Sequence, residues 1–427
     1  MKNNSLHIHF CIALFLLILT GCSNTADPDW THFRGSNLDG ISNNHTSPLQ
    51  WGIDSNIVWK KEIHGRGWSS PVVYDNQVWV TTASNDGKEL FAVCLDYQTG
   101  ELIHDVQLFT PDSVYRKHAI NTYATPTPCI EKDYIFAHFG RYGTAGINTA
   151  DGSVIWRRTD LSCNHIQGPG SSPILYKNLL ILHFDGVDDQ YLIALNHLTG
   201  ETVWRTERQK EPYKPLTWIG RKAYITPMII QVNGKDLLIS NGAAVCSAYD
   251  PETGEEIWWV VRGAESTIAM PFYGNGLVYY YTGYMIAEDG QNYTELLAVD
   301  PDGKGDITGS NIKWAIRSPI LQLLTPVVEN GLIYTINSES ELQCIDSKTG
   351  RIIYAERMKG KFNASPVYSA GRIYFFSTKG ETYVLEEGRK FNVIAKNKLE
   401  GEIWATPAFV RNNILIRTSK YLYRIGE

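Results

Sequence analysis

The chain has 427 residues, 43% hydrophobic, 12% aromatic and 20% charged, with 36 glycines; this composition describes a globular protein with many turns and excludes a disordered chain. Its 39 Lys and Arg against 45 Asp and Glu give a formal charge of −6 with no long basic run, which excludes the electrostatic footprint of a nucleic-acid binder. Length admits two or three average domains or one large repeat fold, so the order of elements has to decide.

At the N-terminus a lone Lys2 precedes an apolar run from Phe10 to Leu19, too short to span a bilayer but suited to a signal peptide. The run ends in Leu19-Thr20-Gly21-Cys22, which resembles a bacterial lipobox. Residues 1–21 are therefore expected to be a lipoprotein signal peptide, Cys22 the lipidated residue, and residues 22–54 a tether and entry segment. Acyl chains contribute about 0.8 kcal/mol per buried CH₂, so two or three of them suffice for anchoring. The lipobox resemblance implies a protein anchored at the bacterial cell envelope, with the lipid as its only membrane contact, and Ser23 after the cysteine implies the outer membrane, facing the periplasm or the cell surface.

From residue 55 onward the chain repeats itself. A Ser/Thr/Met-Pro step opens each unit, at Ser70-Pro71, Thr127-Pro128, Ser172-Pro173, Thr226-Pro227, Met270-Pro271, Thr325-Pro326, Ser365-Pro366 and Thr406-Pro407. After each step come up to four short runs rich in Val, Ile, Tyr and Trp, bounded by Gly, Asn and Asp, and no amphipathic helical period is sustained. Four strands per unit match a β-propeller blade, and an isolated four-stranded sheet cannot bury both faces without copies of itself on either side. The last unit, "TPAFVRNNILIRTSKYLYRIGE", stops one strand short, and "SNIVWKKEI" (Ser55–Ile63) can supply it. The expected fold is all-β: an eight-bladed propeller over residues 55–427, monomeric and closed by an N-terminal strand that completes the last blade.

Between the third and fourth strands a turn such as "DPETG" recurs. Its Asp can cap backbone N–H groups and its Gly supplies a positive φ. Trp59, Trp156, Trp204, Trp258 and Trp314 fall on the outer strands, where each indole would cover the seam to the next blade. "AYDPETGEEIW" and, more loosely, "ALNHLTGETVW" are similar to the tryptophan-docking motif of the pyrroloquinoline-quinone-like (PQQ-like) repeat family, and "WTHFRGSNLDGIS" resembles the entry segment of its anchored or secreted members. His104 and Tyr354 replace Trp in two blades, which is expected to weaken those seams.

That family includes quinoprotein dehydrogenases and non-catalytic lipoprotein propellers of the outer-membrane assembly (BamB) type. The resemblance implies, for the enzymes, a quinone held beneath adjacent cysteines, Ca²⁺ bound through Glu, Asn and Asp, and an Asp base. Cys94, Cys129, Cys163, Cys246 and Cys344 are scattered, with no two adjacent, and read as buried small hydrophobes. No Asp/Asn/Glu cluster enters the innermost strands, and no C-x-x-C-H, G-x-S-x-G or H-E-x-x-H is present. No catalytic residue, metal ligand or cofactor is expected, with PQQ and Ca²⁺ in a dehydrogenase of alcohols or sugars as the alternative. What remains is the segments before each innermost strand, which carry Arg66, Trp68, Arg116, Lys117, Tyr123, Trp218, Arg221, Lys222, Arg317, Lys361 and Trp404. Arg and aromatic side chains are enriched in hot spots, so this mouth is the candidate binding face for an envelope protein or polymer.

Overall fold

The computed structural model describes residues 29–426; the signal peptide and Cys22 lie outside the described residues. Eight antiparallel sheets, each built on four strands, follow one another along the chain. Blade 1 runs Val72–Tyr74, Gln77–Ala83, Leu90–Asp96 and Leu102–Phe109, from the innermost strand outward, and the later blades repeat that order. Blade 8 is Ala408–Val410, Asn413–Arg417 and Tyr421–Ile425, and its outer strand is Ile57–Glu62, with Trp59 opposite Arg424. The two ends of the chain thus share one sheet. Three additions break the regularity: Gly305–Asp306, from the enlarged fifth-blade loop, pairs in parallel outside blade 4, Ile41–Ser42 pairs in parallel with the innermost strand of blade 7, and Met285–Ile286 pairs antiparallel with Asn292–Val299 in blade 5. No helix among the described residues is long and apolar enough to cross a membrane.

The seams explain the recurring turn. Trp204, on the outer strand of blade 3, donates its indole N–H to the Pro251 carbonyl at 3.1 Å, in the turn of blade 4, and Trp59, Trp156 and Trp314 do the same to Tyr97, His197 and Ser347. Gly254 in the blade-4 turn has φ of 72°, and a Cβ there would lie 2.6 Å from the Trp204 ring. The glycine therefore serves the ring as well as the turn. Asp250 caps the same turn by accepting from the N–H groups of Glu252 and Thr253. His104 keeps the pattern, with Nε2 3.1 Å from the Thr149 carbonyl, so that seam retains its bond. Trp258 is fully buried against the enlarged loop, but its Nε1 has no partner. Tyr354 makes an edge contact with Phe391 instead.

Around the channel the Ser/Thr-Pro steps form a belt. In six of the eight steps the backbone N–H donates to the hydroxyl of the next blade's step: Ser70 to Thr127, Thr127 to Ser172, Ser172 to Thr226, Met270 to Thr325, Thr325 to Ser365 and Ser365 to Thr406, all between 2.9 and 3.1 Å. Met270 has no hydroxyl, so the belt is interrupted between blades 4 and 5, and it is open again between blades 8 and 1, where the buried Ser70 hydroxyl has no partner.

Residues 30–47 pack along the innermost strands. Trp30 exchanges backbone bonds with Val73, the Thr31 carbonyl accepts from Ile130, His32 accepts from Leu175, the Gly40 carbonyl accepts from Tyr368, and Ser42 donates to Phe409. Leu38 joins the apolar cluster of blades 3, 4 and 5. Arg34, fully buried, donates to the carbonyls of Thr325, Pro326, Pro366 and Asp39. The entry segment is a plug that ties together opposite sides of the ring.

Candidate functional site

Alternation fixes what faces the lumen. Side chains of an extended chain repeat every two residues, and the belt residues already line the channel. The residue two positions before each step should then face it too: Trp68, Thr125, Gly170, Tyr224, Ile268, Leu323, Asn363 and Trp404. All eight line one cavity of about 380 Å³ at the mouth, with the belt residues from Thr127 to Thr406 around its base. Phe33, carried on the plug, also lines it, and Ile120 and Leu321 add apolar wall. His118 is its only titratable lining residue besides Tyr224.

Trp68 and Trp404, from the first and last blades, stack with centroids 5.3 Å apart and planes 11° from parallel. Their indole N–H groups are held by the Ile120 carbonyl at 3.0 Å and by Glu402 at 3.1 Å. Beside them Arg66 lies 5.0 Å from the Trp68 ring and Lys117 5.4 Å from that of Tyr123, two cation–π contacts. Burial and the nearby Arg66 charge hold the Lys117 ammonium below its ordinary range. The long loop between blades 1 and 2 is pinned by Asn121, whose amide donates to the carbonyls of Gln167 and Pro169 at 2.8 and 3.0 Å. That clasp gives the cavity a fixed wall on this side.

Of the eleven residues expected at the mouth, Trp68 and Trp404 line the cavity, and Arg66, Lys117 and Tyr123 stand at its edge. Arg116 is exposed further along the same loop, and Lys361 is exposed two residues from Asn363. Trp218 projects into solvent at 62% exposure on a short 3₁₀ turn, Trp218–Arg221. Three of the eleven are poorly placed as free contacts. Lys222 is buried and donates to the Ile219 carbonyl at 2.6 Å, and the Arg221 Nε is buried without a partner. Arg317 sits on the outer strand of blade 5, Ile312–Ser318, where it shares Glu295 with Arg262. Sequence alone does not show these engagements, because the acceptor for Lys222 is a backbone carbonyl and Glu295 lies 22 residues before Arg317. Phe33, Ile120, Tyr224, Ile268, Leu321, Leu323 and Asn363 were missed, although the period-two count from the belt marks four of them.

The donor set does not fit a calcium-bound quinone. The cavity lining contains no carboxylate and no cysteine, and no group of three His, Cys, Asp or Glu able to hold a metal occurs among the described residues. Burial raises the thiols of Cys94, Cys129, Cys163, Cys246 and Cys344 above their ordinary range, and all five are free. Elsewhere, the most heavily buried charge pair is Asp185 with Arg208, 2.7 Å apart between blades 3 and 4, with His183, Ser240 and Tyr249 around it. It is sealed from the cavity and packs the seam.

A family model described as outer membrane protein assembly factor BamB matches residues 53–171, 188–307 and 293–404. No curated protein sequence matches the chain. Among solved structures, BamB from Moraxella catarrhalis is similar at 11% identity and a TM-score of 0.59, over 87% of this chain and 97% of that one. The quinohemoprotein alcohol dehydrogenase from Comamonas testosteroni is similar at 12% identity and a TM-score of 0.68, over 95% and 82%. A europium-containing methanol dehydrogenase is similar at 11% identity and a TM-score of 0.65, over 92% and 89%. At these identities the likeness is one of fold.

Proposed function

The chain belongs to the family of the outer membrane protein assembly factor BamB, and from that premise we propose that it is a lipid-anchored envelope propeller that recognises a partner at its channel mouth without performing chemistry. The observation that carries this reading is the character of the cavity. It is concave, mostly apolar, backed by Phe33 of the plug and edged by Trp, Tyr, Arg and Lys side chains, the composition of a binding hot spot. The partner is an envelope protein or polymer, and the propeller itself is monomeric.

The anchor reading rests on Leu19 to Cys22, and the plug adds a geometric consequence. Asp29 accepts from the Asp75 N–H and pairs with Arg411 at 2.7 Å, in the turns that end the innermost strands of blades 1 and 8 away from the mouth. Seven steps of chain from Cys22 to Asp29 span at most about 25 Å. An anchor at Cys22 therefore holds the plugged face towards the membrane and turns the mouth outward. Cys22→Ala is expected to move the protein out of the membrane fraction; a processed, membrane-bound form of that variant would refute the anchor.

Crosslinking in cells tests the recognition reading. Leu321→Trp, which narrows the cavity, and Trp404→Ala, which removes half of the stacked pair, are expected to reduce recovery of partners while leaving thermal melting nearly unchanged. Unaltered recovery would exclude the mouth. Incubation with pyrroloquinoline quinone and Ca²⁺ is expected to give no bound chromophore and no alcohol- or sugar-dependent dye reduction, and turnover would overturn the non-catalytic reading.

A further inference from the structure

The charges beside the Trp68 and Tyr123 rings are unbalanced. Fifteen ion pairs join described residues, and none includes Arg66, Arg116 or Lys117. Arg317 and Arg262 are engaged by Glu295 and Lys222 by a carbonyl, while Arg221 and Lys361 join no ion pair but stand on other loops, away from the Trp68 and Tyr123 rings. Arg66 stands over Trp68 and Lys117 over Tyr123, near enough for the Arg66 charge to act on the Lys117 ammonium. Glu402, on the far side of Trp68, is bonded to the Trp404 indole, and Asp86 is turned to Ser84 and the Lys88 N–H. Like charges held together in a protein of net charge −6 raise the local potential, and an incoming anion relieves it.

The cavity beside this pair adds a second requirement. Its wall of Trp68, Trp404, Ile120, Ile268, Leu321 and Leu323 seats an uncharged apolar group. At its base each belt hydroxyl from Thr127 to Thr406 accepts a backbone N–H and donates to no protein acceptor, so the O–H groups remain available to the lumen. The amides of Gln167 and Asn363 also line the cavity without a side-chain partner in the protein. A simple hydrocarbon chain would leave these donors and acceptors unmet, whereas peptide units offer both.

We propose that the mouth binds an extended peptide segment of a partner protein, which sets a large apolar side chain into the cavity and a flanking carboxylate against Arg66 and Lys117. This rests on the recognition reading above and names the chemistry recognised.

Fluorescence anisotropy with the soluble mature propeller and blocked, dye-labelled heptapeptides tests it. The probes carry a central Phe flanked by Asp, by Asn or by Lys, and a central Ala flanked by Asp. Affinity is expected to fall in the order Asp, Asn, Lys, and the Ala peptide to bind at least about tenfold more weakly than its Phe counterpart. Arg66→Gln with Lys117→Gln, both in accessible loops, is expected to erase the preference for Asp over Asn, about twofold to fivefold, without altering the Asn-flanked peptide. Leu321→Trp is expected to abolish binding of every peptide with melting unchanged. Equal affinity for Asp- and Lys-flanked peptides, retained binding in Leu321→Trp, or binding of decanoate in place of any peptide would overturn the proposal. If the peptide preferences hold while cellular crosslinks ignore the mouth, the recognition reading fails and the binding chemistry stands; the reverse result sinks only the peptide class.

Discussion

Replacing Arg34 is the sharpest test of the plug. Its guanidinium is fully buried and donates four hydrogen bonds to carbonyls, at 2.7 Å to Pro326, 2.8 Å to Asp39, 2.9 Å to Thr325 and 3.3 Å to Pro366. Burial pulls its pKa down to about 10, so it stays charged in the folded protein, and the Asp39 carboxylate supports the charge from nearby. Hydrogen bonds to a charged group are worth about 1.5–3 kcal/mol each, giving about 6–12 kcal/mol for four. The cost of burying the cation takes back several kcal/mol. A net loss of about 3–5 kcal/mol is expected for Arg34→Met, which keeps the volume but strands four carbonyls. Arg34→Lys should lose most of the same amount, since one ammonium cannot reach acceptors spread around a planar fork. Gly40 sets the approach: a Cβ there would lie 2.4 Å from the Arg34 Nη2, so Gly40→Ala should mimic the loss. Urea unfolding followed by tryptophan emission measures the change, and limited proteolysis should show cleavage within residues 30–47 well before the blades. An Arg34→Met protein within about 1 kcal/mol of wild type would refute the view that this side chain holds the plug.

Three further outcomes follow from the ring itself. Deleting residues 55–63 removes the outer strand of blade 8 and the Trp59 bond to Tyr97, so melting of the whole ring is expected to drop cooperatively; an unchanged melting temperature would refute closure through this strand. Trp204→Phe should cost about 1 kcal/mol for the lost indole bond, while Gly254→Ala should cost more, because strain at positive φ adds to the collision with the ring; equilibrium unfolding of both variants orders them, and equal losses would disprove the double role of the glycine. Burial lowers His32 and His165 to about 4 and His138 to about 3 from an ordinary 6.5. The unfolded chain therefore binds more protons between these values, so stability present above pH 6.5 is lost as pH falls towards 4, by up to about 3 kcal/mol per histidine. Urea midpoints compared at pH 7.5 and pH 5 should show it, and equal midpoints would argue against neutral burial.

The blades were legible in the sequence because two local signals recur, a Ser/Thr-Pro step that becomes Met270-Pro271 in one unit and an Asp-x-x-Thr-Gly turn that three units carry in full and others carry in altered form, each with a short-range cause. The step was readable only as punctuation. Its hydroxyl acts on the neighbouring blade, 40 to 57 residues away, and no local pattern reveals that. The plug was invisible for a related reason: the side chains of His32, Arg34 and Ser42, and the backbone of Trp30, bond to backbone groups of distant blades, and a backbone group carries no sequence signature. A charged residue in an apolar-flanked segment reads as exposed until its acceptors are found.

The mouth was half legible for a reason that bears on how such rings acquire specificity. The belt fixes the register of every lumen-facing residue, so the position two before the step is free to vary in chemistry while its direction stays constant. Here that position is occupied by Trp68, Thr125, Gly170, Tyr224, Ile268, Leu323, Asn363 and Trp404, eight different contributions to one wall. The aromatic pair forms only because blades 1 and 8 are neighbours through ring closure, which brings Trp68 against Trp404 across more than 300 residues of chain. Closure therefore builds the aromatic corner of the cavity as well as the last blade. A variant that opened the ring would lose that corner even if the remaining blades stayed folded, which ties recognition at the mouth to the integrity of a strand on the outer edge.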